Sequence, residues 1–298
     1  MRVFLIKGVL HLLALLPLSR VHAIATWLGR IIFQQNRLRI TQVARTNIQL
    51  CFPQLSPVEQ DEFLKQSLIE TCKTVTELGA LWLWSSPQVL KQIRAVSNEI
   101  YLQQAMQTGQ GVILLTPHLG AWEIAGLYVS AHYPLTALYR PPKLVGLDNF
   151  IRQARERAGG CFVATNQKGI RTVYQALHRG QVVGILPDQV PNEAAAGIFS
   201  PFFGVPAYTM VLVFRLVQKT GALVLFTYAE RLSQGGGFHL HFQQASPMIN
   251  SAQVEISVRA LNQGVEQCVQ TCPSQYQWNY KRFKRHPNGE KSKSCYDR

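Results

Sequence analysis

The sequence predicts an α/β domain built on a mainly parallel sheet, together with an N-terminal membrane-associated helix. The first observation is that short apolar runs alternate with longer helical patterns from residue 109 onward, which is typical of βαβ units. The second is that polar residues follow three of these runs, and sites form at the carboxyl ends of parallel strands. The third is the length of 298 residues, which allows one large domain or two small ones with a sizeable core.

Residues 1–35 are predicted to be a membrane anchor that spans the bilayer or lies in its interface. The apolar stretch is interrupted by Lys7, His11 and Pro17 and is short for a spanning helix, which needs about 20 apolar residues. It continues around Trp27 as an interfacial helix would. A cleaved secretory signal is the alternative, and the charge of Lys7 within the apolar stretch argues against it.

Residues 36–108 are predicted to form a helical N-terminal segment. Ser56 suits an N-cap, Pro57 suits the first helical position, and Glu59 can return a capping-box hydrogen bond. We expect the helix that starts there to run to about Trp84.

Residues 109–275 are predicted to be the α/β core. Its expected strands are 111–116, 135–139, 161–165, 181–186, 223–228 and 238–242. Its expected helices are 120–132, 147–158, 170–179, 208–220 and 251–272. The remaining residues, 276–298, read as a basic C-terminal tail.

The net charge of +14 is concentrated at the two ends of the chain. Residues 1–58 carry seven basic residues and no acid, and residues 281–298 carry seven basic residues against two acids. Basic residues beside apolar ones suit an anionic membrane surface or a phosphate-bearing lipid, and the positive stretch after the anchor favours the cytoplasmic side. Nucleic acid is the competing partner, but no nucleic-acid-binding motif is present, so we expect none to bind.

The motifs that the sequence lacks narrow the chemistry. The six cysteines form no Cys-x-x-Cys pair, which indicates free thiols in a reducing compartment. No metal-ligand spacing, nucleotide-binding glycine loop or Gly-x-Ser-x-Gly elbow is evident. We therefore expect histidine-based chemistry that uses neither a metal nor a cofactor.

A histidine and a carboxylate follow the apolar run 112–115. His118 comes after Pro117, and Glu123 lies five residues further on. Positions five apart on one helix point about 140° away from each other, so the two side chains meet only if His118 lies in a strand-to-helix turn. Pro117 and Gly120 permit such a turn. The hypothesis is a His118–Glu123 dyad that deprotonates a substrate hydroxyl; the alternative is an ordinary core or surface histidine.

His118 and Glu123 match the His-x-x-x-x-Asp/Glu signature of glycerolipid-type acyltransferases. The wider sequence resembles the lipid A biosynthesis lauroyl/myristoyl acyltransferases, and the matching segments occur in that family's order over most of the chain. These segments are 47–53 (NIQLCFP), 138–141 (LYRP), 187–189 (PDQ), 197–204 (GIFSPFFG) and 277–284 (QWNYKRFK).

The resemblance implies an α/β/α sandwich of the glycerolipid acyltransferase type and a concrete reaction. A fatty acyl chain would pass from acyl carrier protein, the thioester co-substrate, to a hydroxyl of a lipid A precursor at the cytoplasmic face of the inner membrane. His118 would be the general base, Glu123 would orient it, and no covalent intermediate would form. The oxyanion would be stabilised by Arg140 or by backbone amides at the start of the helix after His118.

Five further residues are candidates for substrate binding. Arg140 suits a phosphate, a sugar carboxylate or the oxyanion, and the alternative is a surface arginine. Asp188 and Gln189 are candidates for binding acceptor hydroxyls or for positioning Arg140, and the alternative is an ordinary turn. Lys281 and Arg282 suit lipid headgroups or acceptor phosphates, unless the tail is merely solvated.

A second set of basic residues is expected to steer the acidic carrier protein. It comprises Arg152, Arg155, Arg157, Lys168 and Arg171.

Three other functions stay open at this point. The acceptor could be a glycerophosphate or another glycolipid. The same dyad could serve a thioester hydrolase, which would release free fatty acid. A non-catalytic basic protein that binds membranes or nucleic acid would keep the fold without the chemistry.

Overall fold

The computed structural model describes residues 1–142, 144–193, 195–289 and 295–296. Its strands are β1 Ile93–Ser97, β2 Val112–Leu115, β3 Leu135–Tyr139, β4 Cys161–Ala164, β5 Val182–Ile185, β6 Gly197–Phe202, β7 Val205–Met210, β8 Leu223–Arg231 and β9 Phe238–Gln244. Its helices before the sheet are α1 Arg2–Ala14, α2 Leu18–Gln34, α3 Arg39–Cys51, α4 Pro57–Thr76, α5 Leu78–Leu83 and α6 Ser86–Leu90. The later helices are α7 Ile100–Gln107, α8 Trp122–His132, α9 Val145–Glu156, α10 Gln167–His178, α11 Leu212–Thr220 and α12 Val254–Thr271.

Seven of these strands form one sheet in the order β1-β9-β8-β2-β5-β3-β4. Every neighbouring pair is parallel except β8 and β9, which are antiparallel. The mainly parallel α/β sheet predicted from the sequence is therefore confirmed. β6 and β7 form a separate antiparallel hairpin.

Helices cover both faces of the sheet, and β2 shows why its sequence is continuously apolar. Ile113 and Leu115 pack into a core with α10 and α12, whereas Val112 and Leu114 pack into a second core with α7 and α8. All four side chains are buried, as expected for a strand covered on both faces. The arrangement is a three-layer α/β/α sandwich.

The expected core strands agree with the structure except that β8 and β9 run further than predicted. Three elements differ. β1 lies in the segment expected to be helical; it is a short edge strand whose partner, β9, follows about 140 residues later. The helix expected at 208–220 begins only at Leu212, because 205–210 is the second strand of the hairpin. The helix that starts at Pro57 ends at Thr76, and its predicted capping box is present between Ser56 and Glu59.

The segment 1–35 forms two helices that separate at Pro17. α2 packs closely on α4, since a Cβ on Gly29 would lie 2.5 Å from the Ile69 Cα. α1 leaves several large apolar side chains in solvent, among them Phe4 and Leu12. Within the described residues, the length and apolar character required of a bilayer-crossing helix are not found together in any one helix.

A buried ionic cluster ties these N-terminal helices to the sheet. Arg231 at the end of β8 donates to Glu77 and Glu70, and His22 of α2 lies 3.2 Å from the same Glu77 carboxylate. Burial would raise the pKa of Glu77, but Arg231 and His22 outweigh that effect and lower it. Residues 290–294 and 297–298 of the predicted tail lie outside the described part of the chain.

Candidate active site

His118 lies in the loop between β2 and α8, as the turn hypothesis predicted. The loop is held from two sides. The Ala121 amide donates to the Ala229 carbonyl of β8 at 2.8 Å, and the His118 carbonyl accepts from the Gln277 amide at 3.0 Å. Gly120 between them has φ +60°, and a Cβ there would lie 2.1 Å from the Ala229 oxygen. The loop therefore requires glycine at this position.

The carboxylate that contacts the imidazole belongs to Asp188. Its Oδ1 lies 2.8 Å from His118 Nδ1, and its Oδ2 accepts from the His118 backbone amide at 2.8 Å. β5 is the parallel neighbour of β2, so the residues that follow the two strands meet at one edge of the sheet. Burial alone would raise the pKa of Asp188, but the contacts with His118 outweigh it and hold that pKa below its ordinary value.

An ionised Asp188 accepts a hydrogen bond from Nδ1–H of His118. The other ring nitrogen, Nε2, is then the one that can accept a proton. The Gln189 side-chain amide lies 3.2 Å from that Nε2. The structure thus brings together three residues that the sequence singled out. Asp188 was expected to bind a hydroxyl or to position Arg140, and it instead holds His118.

The carboxylate of Glu123 is hydrogen-bonded to Arg155, whereas the sequence hypothesis expected it to orient His118. The Glu123 carboxylate accepts from Arg155 Nε at 3.0 Å, and the pair is largely buried. Burial would lower the pKa of Arg155, but the charge of Glu123 outweighs it and raises that pKa. Sequence proximity favoured Glu123, whereas the sheet places a carboxylate from another strand beside the histidine. A catalytic role for Glu123 stays a prediction.

A cavity of about 530 Å³ opens beside His118. It lies between the sheet and helices α5, α8 and α9, and its volume falls in the usual range for a ligand site. Its buried lining is apolar and includes Leu81, Leu114, Leu127, Leu135, Ala137 and Ile185. Its exposed lining is polar and includes Arg140, Asn192, Glu193 and Arg215. This is the division expected for an apolar chain that carries a polar head.

Arg140 is exposed at this polar rim, which agrees with its proposed access to substrate. The positive charge of Arg140 also affects Lys284. Burial lowers the pKa of Lys284, and repulsion from Arg140 and Arg285 lowers it further. Arg285 also donates to the Asn192 carbonyl of the rim. Lys281 lies elsewhere, in a surface depression shared with Arg39 and Lys284.

Arg282 does not reach a headgroup, contrary to expectation. Its side chain is buried, and its guanidinium donates to the Tyr208 carbonyl and the Thr209 hydroxyl at 2.8 Å each. The tail is basic in composition, but this residue packs inward against β7. Of the five residues expected to meet the carrier protein, Arg155 is paired with Glu123 and Arg157 donates to the Leu81 carbonyl. The other three, Arg152, Lys168 and Arg171, are exposed.

The tail also supports the site in a way that the sequence analysis missed. Tyr276 is buried near Asp188, whose charge adds to burial in raising the pKa of the phenol, and the Tyr280 hydroxyl accepts from the Val190 amide at 2.9 Å. Asn47 of α3 holds this segment by donating to the carbonyls of Trp278 and Tyr280, at 2.6 and 2.7 Å. One sequence signal did point to this contact. The segments 47–53 and 277–284 are two of the five that resemble the acyltransferase family.

The backbone amides nearest to His118 are already used. The amides of His118, Gly120 and Ala121 donate to Asp188, Gln275 and Ala229. In the first turn of α8, the Ile124 amide donates to the Ala121 carbonyl at 2.8 Å, so an oxyanion role for the amides of Trp122 and Glu123 stays a prediction.

Comparisons with known proteins identify the family of this chain. A family model described as "Bacterial lipid A biosynthesis acyltransferase" matches residues 1–285. The lipid A biosynthesis lauroyltransferase of Escherichia coli (strain K12) is 25% identical over 289 residues, which cover 96% of this chain and 92% of the relative. The palmitoleoyltransferase of the same strain is 27% identical over 290 residues, with the same coverage. Its myristoyltransferase is 26% identical over 250 residues, which cover 83% of this chain and 76% of the relative. Since the family model matches nearly the whole chain, this protein belongs to the bacterial lipid A biosynthesis acyltransferases.

Proposed function

We propose that this acyltransferase of lipid A biosynthesis moves a fatty acyl chain from acyl carrier protein to a hydroxyl of a lipid A precursor, with His118 as general base. The observation that carries the proposal is the His118–Asp188 pair beside the cavity, 2.8 Å between nitrogen and oxygen. Asp188 holds the Nδ1–H tautomer, so Nε2 faces Gln189 and the incoming hydroxyl.

The proposed reaction is a direct transfer of the acyl group from donor to acceptor, without a covalent enzyme intermediate. The acceptor hydroxyl displaces the Gln189 amide from Nε2, and its proton passes to His118 as its oxygen attacks the thioester carbonyl. The tetrahedral intermediate then expels the thiolate of the carrier, which takes the proton back from the imidazolium. Asp188 stabilises that imidazolium, and general-base help of this kind is worth about 10²–10⁴-fold.

The acyl chain is proposed to occupy the apolar part of the cavity. The buried lining from the sheet and from α5 and α8 is mostly apolar; the charged groups beside it are the Glu123–Arg155 pair and Arg157, which donates to the Leu81 carbonyl. Gly126 of α8 lies in this wall, and a Cβ added there would meet no atom within 4 Å. The space in front of Gly126 is therefore available to the chain.

The anionic groups of the acceptor are proposed to bind at the rim of the cavity. Arg140 is exposed there, and Lys284, exposed in the depression that also holds Lys281, is near enough that repulsion from Arg140 adds to the effect of burial in lowering its pKa. A bound phosphate would relieve that repulsion, because it places a negative charge between two positive ones.

The protein is proposed to work at the cytoplasmic face of the inner membrane. α1 exposes Phe4, Leu5, Val9 and Leu12, each by more than half of its surface, and Arg20 follows it. An apolar helix face beside basic residues suits the interface of an anionic bilayer. Arg152, Lys168 and Arg171 remain the exposed basic residues proposed to meet the acidic carrier protein.

The direct test is an acyl-transfer assay on the full chain. Purified protein is incubated with acyl-carrier-protein thioesters of several chain lengths and a sugar-bearing lipid A precursor, and the acceptor mass is measured. Wild type should add one acyl group and His118→Ala should not, while the control His178→Ala, an exposed histidine at the end of α10, should keep activity.

Three results would contradict the proposal in whole or in part. Transfer by His118→Ala at the wild-type rate would remove the histidine from the mechanism. Free fatty acid released at a rate independent of the acceptor, with no acylated product, would indicate a thioester hydrolase. Transfer to a glycerophosphate in preference to the lipid A precursor would overturn the acceptor while keeping the chemistry.

A further inference from the structure

The antiparallel strands β8 and β9 carry a second cluster of polar side chains outside the cavity. Glu230 on β8 lies directly opposite His239 on β9, and His241 follows on the same face. One ligand atom from each of these three side chains lies within 4.8 Å of the other two. None of the three lines the cavity beside His118.

The three side chains are already arranged around a common point. His241 Nε2 lies 3.0 Å from Glu230 Oε2, and the two imidazole rings are 3.9 Å apart between centroids. Tyr228 stacks on the His241 ring at 4.7 Å with an interplanar angle of 13°. The tyrosine fixes the ring plane, so the site needs little rearrangement to take a ligand.

The edge strand β1 contributes a further oxygen. The Ser97 hydroxyl lies 2.7 Å from His239 Nε2. All four polar side chains are partly exposed, so an ion has access from solvent. The cluster therefore spans three strands, β1, β9 and β8, which are neighbours at one end of the sheet.

We propose that Glu230, His239 and His241 bind a divalent first-row transition metal ion, with zinc as the best fit. Two imidazole nitrogens and one carboxylate oxygen are a ligand set that zinc uses in proteins, with a fourth position left for water or a hydroxyl. Ser97 is placed to support His239 or to take that fourth position. Through Ser97, the bound ion would link the edge strand β1 to the antiparallel pair β8 and β9, and it would stabilise the sheet there.

The proposal is independent of acyl transfer, and so is its test. The full chain is stripped with a chelator and titrated with ZnCl₂ by calorimetry, alongside Glu230→Gln, His239→Ala and the control His178→Ala. Loss of a residue that only supports a metal ligand weakens metal binding by about 10–100-fold. Each ligand variant should weaken zinc binding by more than this, and the control should leave zinc binding unchanged. Zinc should also raise the Tm of wild type and of the control only.

X-ray absorption separates this site from binding to cysteine. The proposal predicts nitrogen and oxygen ligands at about 2.0–2.1 Å, whereas thiolate ligands would lie at about 2.3 Å. Sulfur ligation, unchanged affinity in the ligand variants, or no binding by wild type would each overturn it. Glu230→Gln replaces one carboxylate oxygen by an amide nitrogen and keeps a hydrogen-bonding group. The comparison with wild type can therefore rest on this variant if His239→Ala fails to fold.

Discussion

His118 Nδ1 lies 2.8 Å from a carboxylate oxygen of Asp188, a residue 70 positions further along the chain. The contact exists because β2 and β5 are parallel neighbours, so their carboxyl ends deliver the histidine and the aspartate to one place. Glu123, only five residues away in sequence, is instead bound to Arg155. The proposed base is therefore oriented by the sheet and not by the helix that follows it.

The length of the acyl chain should respond to Gly126. The substitution Gly126→Leu places four carbon atoms in the apolar part of the cavity, where a Cβ at this position meets no other atom. Transfer should shift to shorter donors, and a one-methylene difference in an apolar pocket is worth about 1–3 kcal/mol. Competition between carrier-protein thioesters of different length measures this. Gly126→Ala is the graded control and should shift the preference less; an unchanged preference in both variants would place the chain elsewhere.

Removal of charge at the cavity rim should weaken acceptor binding. Arg140→Gln takes away a cation exposed at the rim, and Lys284→Gln removes the exposed lysine that Arg140 repels, so KM for the lipid A precursor should rise several-fold while kcat changes little. The loss should shrink at high salt, since exposed charges are screened there. Lys219→Gln, an exposed lysine on α11, is the matched control. An equal rise in that control would argue for a general effect of charge.

Asn47 should stabilise both the tail and the active-site loop. Asn47→Ala removes two hydrogen bonds to buried carbonyls of the segment that contacts Asp188 and His118. We expect a loss of about 1–3 kcal/mol in the free energy of unfolding, together with a lower kcat. Urea unfolding and the transfer assay measure the two effects. Asn36→Ala, at an exposed site, should change neither, and wild-type stability in Asn47→Ala would contradict the role given to it.

Acid should weaken the buried cluster around Arg231. The pKa of Glu77 is lowered in the fold, so its contribution to stability is present above its ordinary value of 4.5 and is lost as the pH falls through the lowered value. Glu77→Gln leaves the Arg231 charge partly unpaired and should cost about 3–5 kcal/mol at pH 7.

Urea unfolding over a pH series tests this account. The difference in unfolding free energy between wild type and Glu77→Gln should narrow as the pH falls below about 4. The control Glu255→Gln, at an exposed site on α12, should follow wild type at every pH. A difference that stays constant from pH 7 to pH 3 would contradict the assignment to Glu77.

The sequence predicted the elements of the core well where the pattern is local. β2, β3 and β5 are short apolar runs between turns, and the capping box at Ser56 is a contact between residues three apart. Contacts between distant parts of the chain were not predictable in this way. The partner of β1 lies in another segment, as does the carboxylate beside His118, and neither position leaves a local signal.

The composition of the basic segments predicted the exposure of some basic residues but not of others. Arg140 is exposed at the cavity rim, and Lys284 is exposed in the depression that also holds Lys281. Arg282 is buried and bonded to β7, although it stands between two exposed or half-exposed lysines in the order of the sequence. Charge alone does not say which side chain turns inward, because that depends on the acceptors that the fold provides.

The most direct measurement compares Asp188→Asn with Glu123→Gln under saturating donor and acceptor. We predict that Asp188→Asn lowers kcat by about 10²–10⁴-fold and that Glu123→Gln lowers it less. Nitrogen-15 NMR of His118 should show the proton on Nδ1 in wild type and in Glu123→Gln, and a changed tautomer in Asp188→Asn. Asp61→Asn, a surface ion-pair variant, serves as the control. Full activity and the wild-type tautomer in Asp188→Asn, with activity lost in Glu123→Gln, would contradict the account and restore Glu123 as the residue that orients the base.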